Sequence, residues 1–302
     1  MTTLLSTPAE KAALLEGAAT QGRSLWEDAV RRLMRNKAAV FSMGLLAFIT
    51  LSALIIPIFW PHHYDTIYRD RVLIGPTLEN LHIFGTDPQG RDLFVRLLYG
   101  VQISLAVGVV ATAVSLIIGV IWGAIAGYLG GQIDQIMMRI VDVLYSLPFI
   151  FFVIILMVIF ERNIILIFVA IGAVEWLTMA RIVRGQTIGL RKKEFIEAAE
   201  AAGATTPQII GRHIVPNVLG PVVVYVTLTI PAVILAESFL SFLGLGVQEP
   251  MTSLGRLISI GAQEMEIAPW LLIFPAVTMM ATLFCFNFIG DGLRDAIDPK
   301  DR

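Results

Sequence analysis

Charge is missing from long stretches of this chain, and that limits its folds more than any motif does. Residues 38–60 run for 23 positions without Asp, Glu, Lys or Arg, and residues 97–133 for 37. A helix crossing the roughly 30 Å hydrocarbon core needs about 20 apolar residues. Lipid offers backbone groups no partner, so only helices and closed barrels cross it, and runs this long suit helices. Charges return in clusters between the runs. The 15% charged content, against about 25% in soluble domains, and the mean hydropathy of +0.77 therefore describe bilayer spans and not one oily globular core.

These runs predict an all-α integral membrane protein with six transmembrane helices. The first is 38–60. The second lies within 97–133, which exceeds one span and must turn at Gly127-Tyr128-Leu129-Gly130-Gly131-Gln132. The third is 143–160, reaching back towards Ile133, and the fourth is 163–180, with Glu175 embedded. The fifth falls in 213–236 and the sixth is 267–290. With the N-terminus inside, 16 of the 22 Lys and Arg fall in cytoplasmic segments, so both termini are expected in the cytoplasm. Trp60 and Trp270 then sit at the outer interface, where indoles settle. The first apolar run starts too far in and is too long for a cleavable signal, so the first span is expected to act as its own insertion signal.

The chain divides into a cytoplasmic N-terminal segment (1–37), the first span, a periplasmic loop (61–96), a membrane domain (97–290) with a cytoplasmic loop at 188–216, and a cytoplasmic tail (291–302). Ser24-Leu25-Trp26-Glu27 reads as a capping box. Trp26, Val30, Leu33 and Met34 follow on one helical face, with Arg31, Arg32 and Arg35 elsewhere. That suits either an interfacial helix on the inner leaflet or a docking surface. A net charge of −2 argues against a nucleic-acid partner. The one cysteine, Cys285, allows no internal disulfide and no CxxC motif.

Ala111, Ser115, Gly119, Gly123 and Gly127 recur every four residues in the second span. Such a ridge lets another helix come close. It serves either a seam within the subunit or one with a second subunit. Pro57, Pro148, Pro231 and Pro275 lie inside spans and are expected to bend them.

The cytoplasmic loop is the most informative stretch. Phe195, Ala198, Ala199 and Ala202 share one face of a short helix, with Glu194, Glu197 and Glu200 on other sides. Lys193 and Glu197 are spaced as an i,i+4 pair, and Gly203 suits the C′ position. Thr206 as N-cap and Pro207 at N1 then open a second helix, which Pro216 stops before the fifth span. Two capped helices with an alanine-lined face are more than a polar connector needs, and point to docking in a shallow groove.

Glu197-Ala198-Ala199, three residues, Gly203 and then Pro216 resemble the EAA loop of ABC importer permeases. His213-Ile214-Val215-Pro216, in place of the usual Ile-x-Leu-Pro, resembles the oligopeptide and dipeptide branch. Phe84-Gly85-Thr86-Asp87-Pro88-Gln89-Gly90-Arg91-Asp92 and Gly127-Tyr128-Leu129-Gly130-Gly131 support this. So do Glu237-Ser238-Phe239-Leu240-Ser241-Phe242-Leu243-Gly244-Leu245-Gly246, Gly290-Asp291-Gly292-Leu293-Arg294-Asp295-Ala296 and Asp298-Pro299. Together they cover most of the chain and resemble C-type permease subunits of oligopeptide ABC importers. The resemblance implies a type I importer permease fold in a bacterial inner membrane and a heterodimer with a B-type permease. It also implies two cytoplasmic ATPases that bind ATP and Mg, and a periplasmic or lipid-anchored peptide-binding protein. An importer of the same branch for nickel or modified peptides stays open, as does an ion-coupled carrier, although no internal repeat is evident.

The chain has no GxxxxGK[ST], so no nucleotide or other cofactor is expected to bind it. It has no nucleophile–base pair either, and no catalysis of its own is expected. His62, His63 and His82 read as solvated loop residues, not metal ligands. Asp87-Pro88 and Gly90 read as a turn, with Arg91 and Asp92 fixing the outer loop. Two embedded acids remain, and a charge at mid-bilayer costs at least about 2.5 kcal/mol. Glu237, near the outer end of the fifth span, is expected to reach headgroups or water. Glu175 must face the bundle, a watery path, or a cation such as Arg139 or Arg181 supplied by another turn or helix.

Overall fold

The computed structural model describes residues 25–160 and 164–297. The Ser24 cap and Asp298-Pro299 lie outside them. Among the described residues the regular elements are helical. They are α1 (Leu25–Leu33), α2 (Lys37–Phe59), α3 (Leu93–Leu129), α4 (Gly131–Ser146), α5 (Phe149–Phe160), α6 (Ile164–Arg191), α7 (Glu194–Ala201), α8 (Thr206–Ile209), α9 (Val215–Phe242), α10 (Leu254–Gln263) and α11 (Trp270–Ile297).

Local chemistry sets the ends of these helices. Asn36 caps α2 by accepting from Ala38 N and Ala39 N. Asp92 caps α3 through Val95 N at 2.9 Å. α3 therefore begins at Leu93 and not at Leu97, and it carries Arg96 inside its first turn because that guanidinium is fully buried among polar partners. Gly130, at φ +66, ends α3. Pro148 does more than bend the third pass. It pushes Leu147 into an extended conformation (φ −74, ψ 129) and splits the pass into α4 and α5.

Passes alternate between two ends of the molecule. At one end Gly292 of α11 lies against Ala39 of α2 and Leu33 of α1, and Gly220 of α9 lies against Ile297. At the other, Trp60 stacks obliquely on Phe94, and Phe84 lies flat on Phe274 with ring centroids 4.0 Å apart. The starts of α2 and α9 and the ends of α3, α6 and α11 thus share one end. Four helical stretches, Lys37–Phe59, Leu93–Leu129, Thr206–Phe242 and Trp270–Ile297, are long and apolar enough to cross a membrane.

The four-residue ridge of α3 packs inside the subunit, against α6. A Cβ on Gly119 would lie 2.6 Å from the Met179 side chain, one on Gly127 would lie 2.8 Å from the carbonyl oxygen of Arg184, and one on Gly123 would strike the Ala180 carbonyl. Ala111 and Ser115 continue the ridge, fully buried. Small residues permit this approach of backbones where lipid supplies no hydrophobic drive. Of the two helices it joins, α6 leads directly into the loop at 188–216.

Candidate functional site

The loop from Glu194 to Pro216 is built from its buried residues outward. Ile196, Ile209 and Ile214 are each 1% exposed or less and enter a core with Val120, Met179, Val183 and Val218. That core anchors α7 and α8 to α3, α6 and α9. The opposite surface of α7 stays open: Glu194, Phe195, Glu197, Ala198 and Ala202 are exposed, with Phe195 at 41%, while Ala199 is half-buried against the core.

α7 ends in a Schellman motif. Gly203 N donates to Glu200 O at 2.9 Å and Ala204 N to Ala199 O at 3.0 Å, with Gly203 at φ +82. The next helix is capped by Thr205 and not Thr206: Thr205 and Gln208 form a reciprocal capping box, Thr205 N donating to Gln208 Oε1 at 2.9 Å. Thr206 and Pro207 occupy its first turn. Pro216 does not stop this helix. A π-turn over Ile210–Ile214 carries it into α9, where Pro216 falls in the first turn, the position that needs no amide donor. The Lys193–Glu197 ion pair does not form within 4 Å; Glu200 instead accepts from the Tyr128 hydroxyl at 2.8 Å, tying α7 to the end of α3. Beside it lies a cavity of about 390 Å³ lined by Gly127, Gly130, Asp134, Ile188, Arg191, Lys192 and Glu197.

At the other end the loop before α3 folds into a buried polar knot. Asp87 Oδ1 accepts from Gln89 N and Arg91 N, closing the turn around Pro88. Its Oδ2 accepts from Arg91 Nε at 2.8 Å and lies 3.4 Å from Arg96 Nε. Arg91 Nη2 and Gln89 Nε2 then reach Glu249, beyond α9. Burial pushes the Glu249 carboxyl up, but hydrogen bonds from Arg91 and Gln89 and the charges of Arg91 and Arg96 outweigh this and hold it below the ordinary carboxylate value. Asp87, Arg91, Asp92 and Arg96 are all 3% exposed or less.

His62 and His82 are buried in this knot; His63 alone of the three is exposed. His82 Nδ1 donates to Asp92 Oδ2 at 2.8 Å, which fixes the α3 cap. His62 Nε2 donates to Asn80 O, so its Nδ1 accepts from the Tyr68 hydroxyl. His62, His82 and Asp92 offer ligand atoms within 4.8 Å of one another. Both nitrogens of His62 are engaged, however, and its ring lies flat on that of His82 at 4.4 Å. Parallel rings do not aim two lone pairs at one ion, so the cluster is a hydrogen-bonded clasp.

Glu237 does not reach headgroups or water. It is fully buried, and its Oε1 accepts from Ser241 Oγ at 2.6 Å and Ser253 Oγ at 2.7 Å. Ser104 Oγ accepts from Leu254 N at 3.0 Å, which joins α3 to the same junction of α9 and α10. Glu175 is half-buried and has no hydrogen bond or ion pair among the described residues. The cation nearest in sequence, Arg181, donates to Asp142 instead. Sequence reasoning missed Tyr128, Glu249 and Ser253 as partners, because each meets a group brought close only by the fold.

Residues 119–302 match the family described as binding-protein-dependent transport system inner membrane component, and residues 24–76 match the N-terminal TM domain of oligopeptide transport permease C. The oligopeptide transport system permease protein OppC of Haemophilus influenzae is 58% identical over 282 residues, covering 93% of this chain and 91% of that protein. The dipeptide transport system permease protein DppC of Bacillus subtilis is 45% identical over 280 residues, covering 92% and 87%. The inward-facing MetNI methionine ABC transporter superposes with a TM-score of 0.55 at 23% identity, covering 67% of this chain and 96% of the transporter chain.

Proposed function

Because the chain belongs to the family of inner-membrane components of binding-protein-dependent transport systems, we propose that it is the permease subunit of an ATP-driven oligopeptide importer. Its relatives are named oligopeptide and dipeptide permeases. In this reading the four long apolar stretches, the α4–α5 pass and α6 make six membrane crossings, with both termini inside. A B-type permease supplies the other half of the path. Two cytoplasmic ATPases carry the ATP and Mg chemistry, and an external binding protein delivers the peptide.

The observation that carries this reading is the outward face of α7. Phe195, Ala198 and Ala202 stand exposed on a helix whose opposite side is anchored by Ile196. α7 joins α6 through two residues, and α8 runs through the π-turn into α9. Closure of the ATPases therefore moves α7 and α8, and both adjoining passes move with them. Glu194, Phe195, Glu197, Ala198, Ala199 and Ala202 form or support the contact surface, Gly203 shapes its end, and Pro216 starts the pass that responds.

Import into vesicles holding the whole complex tests this. Uptake is expected to need ATP hydrolysis and to persist when the proton gradient is collapsed. Uptake that stops with the gradient while ATP hydrolysis continues would favour an ion-coupled carrier.

A further inference from the structure

The end of α1 and the start of α2 expose cations and apolar side chains together. α1 has three different faces. Ala29 and Leu33 are buried with Ala296, Leu293 and Ile297 of α11. Val30 and Met34, about 100° further round, are 57% and 58% exposed. Arg31, another step round, is exposed too. The last turn continues past Leu33, with Met34 N donating to Val30 O at 2.9 Å and Arg35 N to Arg32 O at 3.0 Å. Arg35 and Lys37, both exposed, then lead into α2.

Packing fixes where this surface stands. A Cβ on Gly292 of α11 would lie 3.1 Å from the Leu33 side chain and 2.7 Å from Ala39, so the end of α1 and the first turn of α2 share one level. From there α2 runs for 23 residues, long and apolar enough to cross a membrane, with Phe41 and Phe48 70% and 68% exposed. Val30 and Met34 therefore stand where that apolar surface begins. Charge is sorted along the same stretch. Glu27 and Asp28 occupy the first turn of α1 and Arg31 and Arg32 its last, as the helix dipole favours. The dipole does not account for Lys37, the first residue of α2, where the positive end of a helix disfavours a cation. Arg31, Arg32, Arg35 and Lys37 form no ion pair among the described residues.

We propose that the junction of α1 and α2 is a site for anionic phospholipid headgroups, with Arg31, Arg35 and Lys37 holding the phosphate and Val30 and Met34 entering the acyl boundary. The proposal rests on α2 being a membrane span and not on the identity of the transported solute. Guanidinium and ammonium groups donate charge-assisted hydrogen bonds to phosphate oxygens. Binding of an interfacial helix grows with its buried apolar area and with attraction to anionic lipid, and this junction supplies both. A zwitterionic headgroup carries its own cation and gains less. Of the two roles open to α1 from sequence, the three-face arrangement favours the interfacial one: one face on the protein, one in acyl chains and one among headgroups.

The test uses the transporter with all its subunits, a Cys285→Ala background and a fluorophore on a single cysteine at position 34. It is placed in vesicles of equal parts phosphatidylcholine and phosphatidylglycerol, with bromine on the acyl chains of one lipid or of the other. Both lipids are expected to quench, and phosphatidylglycerol to be enriched about fivefold at the probe, the order that one cation near an anionic surface supplies. Combining Arg31→Gln, Arg35→Gln and Lys37→Gln should abolish the preference and keep quenching by both lipids. Raising the salt should weaken the preference in the unsubstituted chain, which needs no variant to fold. Quenching by neither lipid would overturn the proposal, because a partner or water then covers the face. Equal quenching by both without the Gln substitutions would reduce the contact to an apolar one, and a preference unchanged in the triple variant would place the headgroups elsewhere. Either result also overturns the proposal, and none of them bears on peptide transport.

Discussion

The loop before α3 and the helix pair before α9 lie at opposite ends of the molecule, and they treat their polar groups in opposite ways. In the loop Asp87, Arg91, Arg96, Asp92 and His82 are buried and held by ion pairs and hydrogen bonds, and Glu249 closes the cluster from a distant segment. In the helix pair only isoleucines are buried, and an apolar and acidic face is left in the open. The loop completes itself within one chain and holds the start of α3. The helix pair is shaped by its own caps and leaves its outward face uncovered. Removing groups from the first is expected to lower stability, and changing the second is expected to leave stability and alter coupling.

The sharpest break is Asp87→Ala. It strands Arg91 and Arg96 in a buried site, and losing one partner of such a cluster costs about 3–5 kcal/mol. A large fall in the melting temperature of the detergent-solubilised complex is expected, and a stable variant would show that the knot is not structural. Next are Gly203→Val and Glu197→Lys. At φ +82 a β-branched residue costs of the order of 1–2 kcal/mol locally, so insertion and heterodimer formation should survive while ATPase docking weakens or hydrolysis runs without transport. Wild-type import by both would reduce the helix pair to a connector.

Smaller still is Tyr128→Phe, which removes one hydrogen bond to Glu200 worth about 1 kcal/mol. A modest rise in transport-independent hydrolysis is expected, with little change in melting; no change in hydrolysis would detach α3 from the lever. The smallest effect concerns acid. Glu249 is held below its ordinary value, so its stabilising contribution is complete above the unfolded carboxylate range and is lost as pH falls through its lower folded value. Glu249→Gln should therefore flatten the acid side of the melting profile below about pH 4.5. An identical acid limb would remove Glu249 from the knot's energetics.

Four long apolar helices, the ridge on α3 and the capped helix pair were legible because each is written in local spacing: charge-free length, a four-residue repeat, and Gly and Pro at helix ends. Helix limits were less legible. Charge marks the edge of a span only when the charge meets water, and Arg96 does not. Thr205 and Thr206 are equivalent caps by composition, and only the Gln208 bond distinguishes them. The site's long-range partners left no local trace. Ser104 meets Leu254 across 150 residues and Gln89 meets Glu249 across 160. Glu237 looked wet because helix depth gives distance along an axis and says nothing of what packs around it.

One labelling experiment addresses the contrast between the two ends most directly. In a chain with the buried Cys285 replaced by Ala, single cysteines are placed at the exposed Ala198 and Leu78 and treated with a membrane-impermeant maleimide. Thr86 and Leu254, each fully buried, are unsuitable reporters. Position 198 is predicted to label only in inside-out vesicles and to be protected when the ATPase subunits are bound, while position 78 labels only in right-side-out vesicles whether or not they are present. Labelling of position 198 from outside, or equally with and without the ATPases, would contradict the account.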